Sequence, residues 1–383
     1  MALHFCAAED TGTPLHINLV SPLDFQVVQR QTIAAGHLVV AGSMVAESKD
    51  TPLPDKLEAR VTGHSLSGEL PGQWQPLPCD ARIAAFRGEL TLPAGGWYRL
   101  EVRAFYKGVL VASVVVEHVG LGEIFVVAGQ SNSANYDEEK QSTKTGLVVA
   151  FDGTQWQLAH DPEPGAGGKK GSFMPAFGDE MAAQFHVPIG IVATGIGSTS
   201  VREWLPAGTR LTLLPPLTRN VVTTGDGQWE VSGEIFANFT TRMKQLGTNG
   251  FRAVLWHQGE SDAHQADPTR TSPGELYRQD LEQLIRDSRQ VIGWDAPWFV
   301  AQVSYHNPSD TASPDIRAAQ KAVCDDDLAF PGPDTDTLTE DMREKNGTGI
   351  HLSARGQQAH AHLWFEKVSA WLEQQPGETE KVK

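Results

Sequence analysis

The sequence predicts a two-domain protein: an all-β sandwich of immunoglobulin-like type, followed by an α/β domain built on a doubly wound parallel sheet. Three observations lead there. At 383 residues the chain is too long for one ordinary core. Its N-terminal part is broken by Gly and Pro into short segments of alternating polarity. Beyond Gly122 the rhythm changes to continuous apolar runs separated by stretches with helical spacing.

From Leu15 to Val119 the segments LHINLV, HLVVAG, KLEARVTG, GELTLP, WYRLEVRAF and VLVASVVVEHV read as strands. In WYRLEVRAF, Tyr98, Leu100 and Val102 fall on one face and Arg99, Glu101 and Arg103 on the other, as a half-buried strand requires. Short strands of this kind suit an antiparallel sandwich, here expected over residues 1–119. Over 120–374 five runs, IFVVAG (124–129), PIGIVATG (188–195), FRAVLWHQG (251–259), WFVAQVSY (298–305) and LAF (328–330), are too continuous for a one-sided sheet. They suit parallel strands covered on both faces. Helices are expected near 174–185, 233–246, 274–292 and 314–323; in the third, Tyr277, Leu281, Leu284 and Ile285 lie on one stripe. A last helix begins at about Ser353, an N-cap residue, and carries Leu363, Trp364, Val368 and Leu372 towards the core. The polar tail, 375–383, is expected to fray.

Composition narrows the function classes. Hydrophobic residues at 40% and charged residues at 20% are ordinary for a globular protein, and no segment approaches the roughly 18 apolar residues of a membrane span. A soluble chain is expected. A formal charge of −16 repels phosphate backbones and anionic membranes, so neither nucleic acid nor membrane is expected as a partner. Cys6, Cys79 and Cys324 are far apart and lack metal-type spacing, which indicates neither a disulfide framework nor a zinc site. The start, MALHFCAAED, has no basic region followed by an apolar one, so no signal peptide is expected; the protein is then intracellular, or secreted or periplasmic if the sequence has been trimmed.

Ligands of an open parallel sheet bind beyond the carboxyl ends of the strands. After the five runs come GQSN with Ser131 and Asn132, GIGSTS (195–200) with Arg202 and Trp204, WHQGESD (256–262), YHNP (305–308), and GPDTDT (332–337); GTGIHLS with His351 precedes the last helix. A serine nucleophile needs a base, a group to orient that base, and donors for the oxyanion. Ser131, on an expected strand-to-helix turn, is the nucleophile candidate. Gly197 offers an N–H that a missing Cβ leaves approachable, and Gln258 offers a side-chain N–H. His351 is the candidate base and Glu260 the acid that fixes its tautomer. Gln130, Asn132, Arg202, Trp204 and His306 are candidates for the substrate cleft, with Gln130 and Asn132 also suited to bracing the turn. Ser133 lies too far inside the turn to replace Ser131, and His257 points away from Gln258 by strand alternation.

GQSN after the first strand, the Gly of GIGSTS, WHQGESD after the third and a His shortly before the final helix together resemble the SGNH/GDSL hydrolases. The resemblance spans residues 120–372 and points to the sialate O-acetylesterase-like branch, with its carbohydrate acetyl esterases and acetylxylan esterases. It implies a flavodoxin-like five-stranded sheet, Ser131 as nucleophile, Gly197 and Gln258 as oxyanion partners of the Ser131 N–H, and His351 as base. It calls for no metal or organic cofactor. In that family an Asp three residues before the His orients it; here Thr348 holds the position and cannot supply a carboxylate. Glu260 is the expected substitute, with Asp336, Asp341 or a Ser–His dyad as alternatives. The function expected is a serine esterase removing O-acetyl groups from carbohydrate, xylan or another plant polysaccharide before sialic acid because of the negative net charge. The alternatives are a GDSL-type lipase or thioesterase and a catalytically inactive carbohydrate-binding protein.

Overall fold

The computed structural model describes residues 15–80 and 84–375. Cys6, the leading segment read for a signal peptide, and nearly all of the polar tail lie outside the described residues.

The N-terminal strands form two antiparallel sheets. One contains Leu15–Ser21, Ala35–Ala46, Ala85–Pro93 and Cys79–Asp80. The other contains Gln75–Leu77, Lys56–Thr62, Gly95–Tyr106 and the first part of the long strand Val109–Gly129. Leu38, Val40 and Leu90 of the first sheet share a core with Ala59, Leu100, Val102 and Val114 of the second. The alternation expected in WYRLEVRAF is present. Tyr98, Leu100 and Val102 are buried, while Arg99 and Arg60 pair with Glu101, and Arg103 with Glu58, on the other face.

Six parallel strands make the second sheet, in the order Val148–Phe151, Ile189–Ala193, the end of Val109–Gly129, Ala253–His257, Trp298–Gln302 and Phe330–Asp334. Trp156–Leu158 closes one edge antiparallel. The expectation of five strands is therefore one short. VVAF (148–151) is an edge strand of four residues, too brief for periodicity to separate from a loop. Residues of the central strand alternate between two cores. Ile124, Val126 and Ala128 pack against the helices Glu234–Gln245, Gly274–Ile292 and Pro314–Asp325. Phe125 and Val127 pack against Met174–Phe185 and Ala354–Leu372. The Ser353 side chain caps the last helix by accepting from the Gly356 N–H, and Trp364, Val368 and Leu372 are buried, with Leu363 only half-buried.

No linker joins the two parts. Val109–Gly129 pairs antiparallel with Gly95–Tyr106 as far as Leu121, then from Glu123 runs parallel to Ile189–Ala193 and Ala253–His257. The expected division at 119/120 falls inside this strand. At the crossover the fully buried Glu123 carboxylate accepts from Arg30 Nε at 2.6 Å, Gln29 Nε2 at 2.8 Å and Arg252 Nε at 2.6 Å. Gln29 Oε1 in turn accepts from the Ile124 N–H, and Arg252 donates to the Arg30 carbonyl. Gln26–Gln29, a strand not expected from the sequence, lies parallel to residues 119–122 and delivers these groups. Desolvating a carboxylate and guanidinium groups is costly, and these short charge-assisted bonds offset it, with Arg30 Nη2 left unpaired among the described residues.

Glu123→Ala strands two guanidinium groups at the crossover and is expected to cost about 3–5 kcal/mol. Arg99→Ala, on the sandwich surface, should cost under about 1 kcal/mol. Urea denaturation of both variants checks this; equal, small losses would contradict it.

Candidate active site

Ser131 follows the central strand by two residues, at the carboxyl end of the sheet beside the point where the strand order reverses. The turn is a single 3-10 turn, Ser131–Ser133, and not the expected start of a helix; the next helix begins only at Met174. It is held from below. The Gln130 N–H donates to the His257 carbonyl, and the Ser133 N–H and hydroxyl both donate to the Gln130 carbonyl. Ser133 thus points into the brace, as its place in the turn suggested. Among the described residues Ser131 Oγ has no hydrogen-bond partner.

His351 stands in a loop that folds back on itself. The Glu344 N–H donates to the His351 carbonyl and the Gly349 N–H to the Glu344 carbonyl, while Lys345 and Asn346 take left-handed conformations at φ 56°. This closure brings Glu344 Oε1 to 3.0 Å from His351 Nδ1. A Cβ on Gly349 would stand 2.3 Å from Glu344 Cγ, so the side chain reaches the imidazole only because position 349 has none. The expectation that Glu260 orients His351 is corrected: the carboxylate at Nδ1 is Glu344. Thr348 bonds instead to the Lys345 carbonyl. Asp336 accepts from Ser304, Tyr305 and Arg317, and Asp341 pairs with Arg355 at the surface, so neither alternative meets His351 either. Burial lowers the His351 pKa and Glu344 pulls it back up, which leaves a ring that stays neutral below the usual imidazole range.

Glu260 is fully enclosed, and burial pushes its carboxyl up to about 7. It accepts from Asn132 Nδ2 at 2.8 Å, and the same Asn132 nitrogen lies 3.3 Å from the carbonyl of Ile350. Arg343 donates to that carbonyl from the other side at 2.7 Å. Glu260 therefore touches the His351 segment only through Asn132, which ties the serine turn to the residue before the histidine.

Four other expectations are corrected by burial. Gln258 cannot serve as an oxyanion donor, because its amide nitrogen is enclosed and taken up by Asp262 Oδ2 (2.7 Å), the Thr199 carbonyl (3.1 Å) and Gln130 Oε1 (3.2 Å). Arg202 is 1% exposed and donates to Asp262, Ser200 and the carbonyls of Leu214 and Arg270, so it faces no cleft. Trp204 is core, edge-on to Trp256 and Phe239, with its N–H on Thr199. His306 is part-buried with Nδ1 on Asp310 and Nε2 on the Glu260 carbonyl, which leaves no ring nitrogen for substrate. Gln130 and Asn132 act as braces, and His257, buried with Nε2 on Thr335, is structural as read from strand alternation.

Gly197 lies against Tyr136. A Cβ there would lie 2.6 Å from the Tyr136 ring, and that ring stacks on His351 with centroids 5.6 Å apart. Arg219 donates to the Gly197 carbonyl. Tyr136, Glu344, Arg219 and Asp262 are the residues the sequence reading passed over. Asp262 is fully buried, and accepts from Ser200, Arg202, Gln258 and the Val201 N–H, locking the second strand-end loop to the third. It stood in the WHQGESD run; an acid at any short spacing before His351, not only three residues, would have picked out Glu344. Among the described residues no group of three or more His, Cys, Asp or Glu is placed to hold a metal ion.

A carbohydrate acetylesterase from Xanthomonas citri superposes with a TM-score of 0.53 at 18% identity, over 94% of this chain and 76% of that one. A protein from Arabidopsis thaliana gives 0.46 at 18% identity, over 66% and 98%. A family 2 carbohydrate esterase with a carbohydrate-binding domain from Corynascus thermopiles gives 0.39 at 11%, over 93% and 99%. At such identities the first shows a shared fold and no more. No curated protein sequence matches the chain. Residues 121–369, more than half of the chain, match the family described as carbohydrate esterase, sialic acid-specific acetylesterase, and the chain belongs to that family.

Proposed function

We propose that the protein is a serine esterase that removes O-acetyl groups from a carbohydrate through an acetyl-enzyme. One observation carries the reading: a partly buried, neutral-leaning His351 has its Nδ1 on the Glu344 carboxylate, in a segment tied by Asn132 to the Ser131 turn. In this scheme His351 takes the Ser131 proton as Oγ attacks the acetyl carbonyl. The backbone N–H groups of Ser131 and Gly197 donate to the developing oxyanion, each worth about 3 kcal/mol in the transition state. His351 then gives that proton to the departing sugar oxygen, which leaves as the free hydroxyl, and water, activated by the same ring, releases acetate. Glu344 holds the imidazole in the tautomer with the proton on Nδ1. Residues 120–374 are the SGNH-type catalytic unit, with a flavodoxin-like strand order, and residues 1–119 an immunoglobulin-like accessory unit. A neutral acetylated polysaccharide such as xylan fits the −16 charge better than an anionic sugar. The inactive-binder alternative rested on Thr348, and Glu344 removes that support.

Ser131→Ala is expected to lower turnover of 4-nitrophenyl acetate by at least about 10³-fold; turnover independent of Ser131 would overturn the reading. Glu344→Gln should cut kcat by about 10²–10⁴-fold, while Glu260→Gln costs less. A reversed ranking in steady-state kinetics would return the acid role to Glu260. Because the neutral imidazole is the base and burial lowers its pKa, kcat/KM should hold as pH falls below the usual histidine range and drop only at the lowered value. Glu344→Gln removes a group that raises this pKa, so the acid limb should move to still lower pH.

A further inference from the structure

A cavity of about 480 Å³ lies next to the catalytic turn without being part of it. It opens at the carboxyl ends of Val148–Phe151 and Ile189–Ala193 and is walled by the helix Glu234–Gln245. Residues 194–197, just past the strand Ile189–Ala193, separate the two and contact both in turn. A Cβ on Gly195 would lie 2.6 Å from the Ser133 carbonyl oxygen, and one on Gly197 2.6 Å from the Tyr136 ring, so both face the catalytic turn. Thr194 and Ile196 line the cavity. The cavity wall and the oxyanion glycine are thus successive residues, about 3.8 Å apart between Cα atoms.

The lining is mixed in a way that suits a sugar ring. Ile196, Ile235 and Phe239 supply an apolar wall. Asn238, Thr241 and Arg242 supply polar groups, and among the described residues no hydrogen bond engages these three side chains. Arg242 is pressed against Gly153, where a Cβ would overlap its guanidinium, and Gln245 ties the helix to the same loop by donating to the Gly153 carbonyl at 3.1 Å. Asp152, on the same wall, stands within Coulombic reach of Arg242 and offsets part of its charge. The volume falls within the range of about 300–1,000 Å³ usual for small-molecule sites.

We propose that this cavity is a subsite for a neutral sugar unit of the same glycan whose acetyl ester meets Ser131; the proposal rests on the esterase reading above. The experiment compares acetate release from acetylated methyl xyloside and acetylated xylotetraose, with 4-nitrophenyl acetate as a control that cannot reach the cavity. Arg242→Ala, and Asn238→Trp as a variant that fills the space, should raise KM for the tetraose ester by about tenfold, the loss of one or two hydrogen bonds. Both should leave the methyl xyloside ester and 4-nitrophenyl acetate unchanged. Titration of Ser131→Ala with unacetylated xylotetraose should show binding that Asn238→Trp abolishes. Equal effects on the long and short esters, no gain from chain length in the wild type, or a preference for uronic-acid-bearing chains that depends on Arg242 would each overturn the proposal. Loss of Ser131-dependent turnover on 4-nitrophenyl acetate would instead sink the esterase reading itself.

Discussion

The structure depends on the hydrogen bonding of one strand. Val109–Gly129 is an antiparallel member of the sandwich for its first half and the central parallel strand of the second sheet for the rest. A strand that changes partners exposes a stretch where neither sheet satisfies its neighbours, and buried backbone groups cannot be left unpaired. Glu123 sits at that stretch. Its carboxylate gathers Gln29 and Arg30 from one segment and Arg252 from another, and Gln29 supplies the acceptor that the Ile124 N–H needs. The buried charge is therefore the means by which a single rod can belong to two cores.

The same rule governs the candidate site. Three strand-end loops meet where backbone groups have run out of sheet partners, and most of the polar residues there are consumed in holding the loops together. Asp262 anchors the second loop to the third, Gln258 and Gln130 join the third to the first, and Asn132 joins the first to the His351 loop. In the proposed reaction what remains for chemistry is a short list: Ser131, the Gly197 N–H, His351 and its Glu344. A catalytic serine at the end of a strand needs this much bracing, because misplacement of a reacting atom by about 1 Å costs roughly 10² in rate.

Periodicity revealed the long elements because each buries a face. Helices such as Gly274–Ile292 and strands such as Ala253–His257 therefore lie where their patterns put them. Short edge elements, Val148–Phe151 and Gln26–Gln29, carry too few residues for a pattern and depend on tertiary pairing instead. In the candidate site, the places of Ser131 and Gly197 at strand ends, and of His351 before the last helix, were legible from the order of the sequence. Side-chain direction was not. Gln258, Arg202, Trp204 and Glu260 are of the right type, yet each points into the protein, and whether a polar group faces a cleft or a brace is settled by neighbours far away in sequence. Glu344 was missed for a similar reason. Two left-handed residues and Gly349 fold its loop so that a side chain seven positions away meets His351 Nδ1, a geometry with no periodic signature.

The unbroken strand also has a metrical consequence. Its 21 residues, at roughly 3.3 Å each, make a stiff bar up to roughly 70 Å long that ends two positions before Ser131. Because both sheets share this strand, the sandwich is joined to the serine turn by an unbroken run of paired backbone. The molecule carries its own ruler: one continuous strand measures the way from the sandwich to the serine turn.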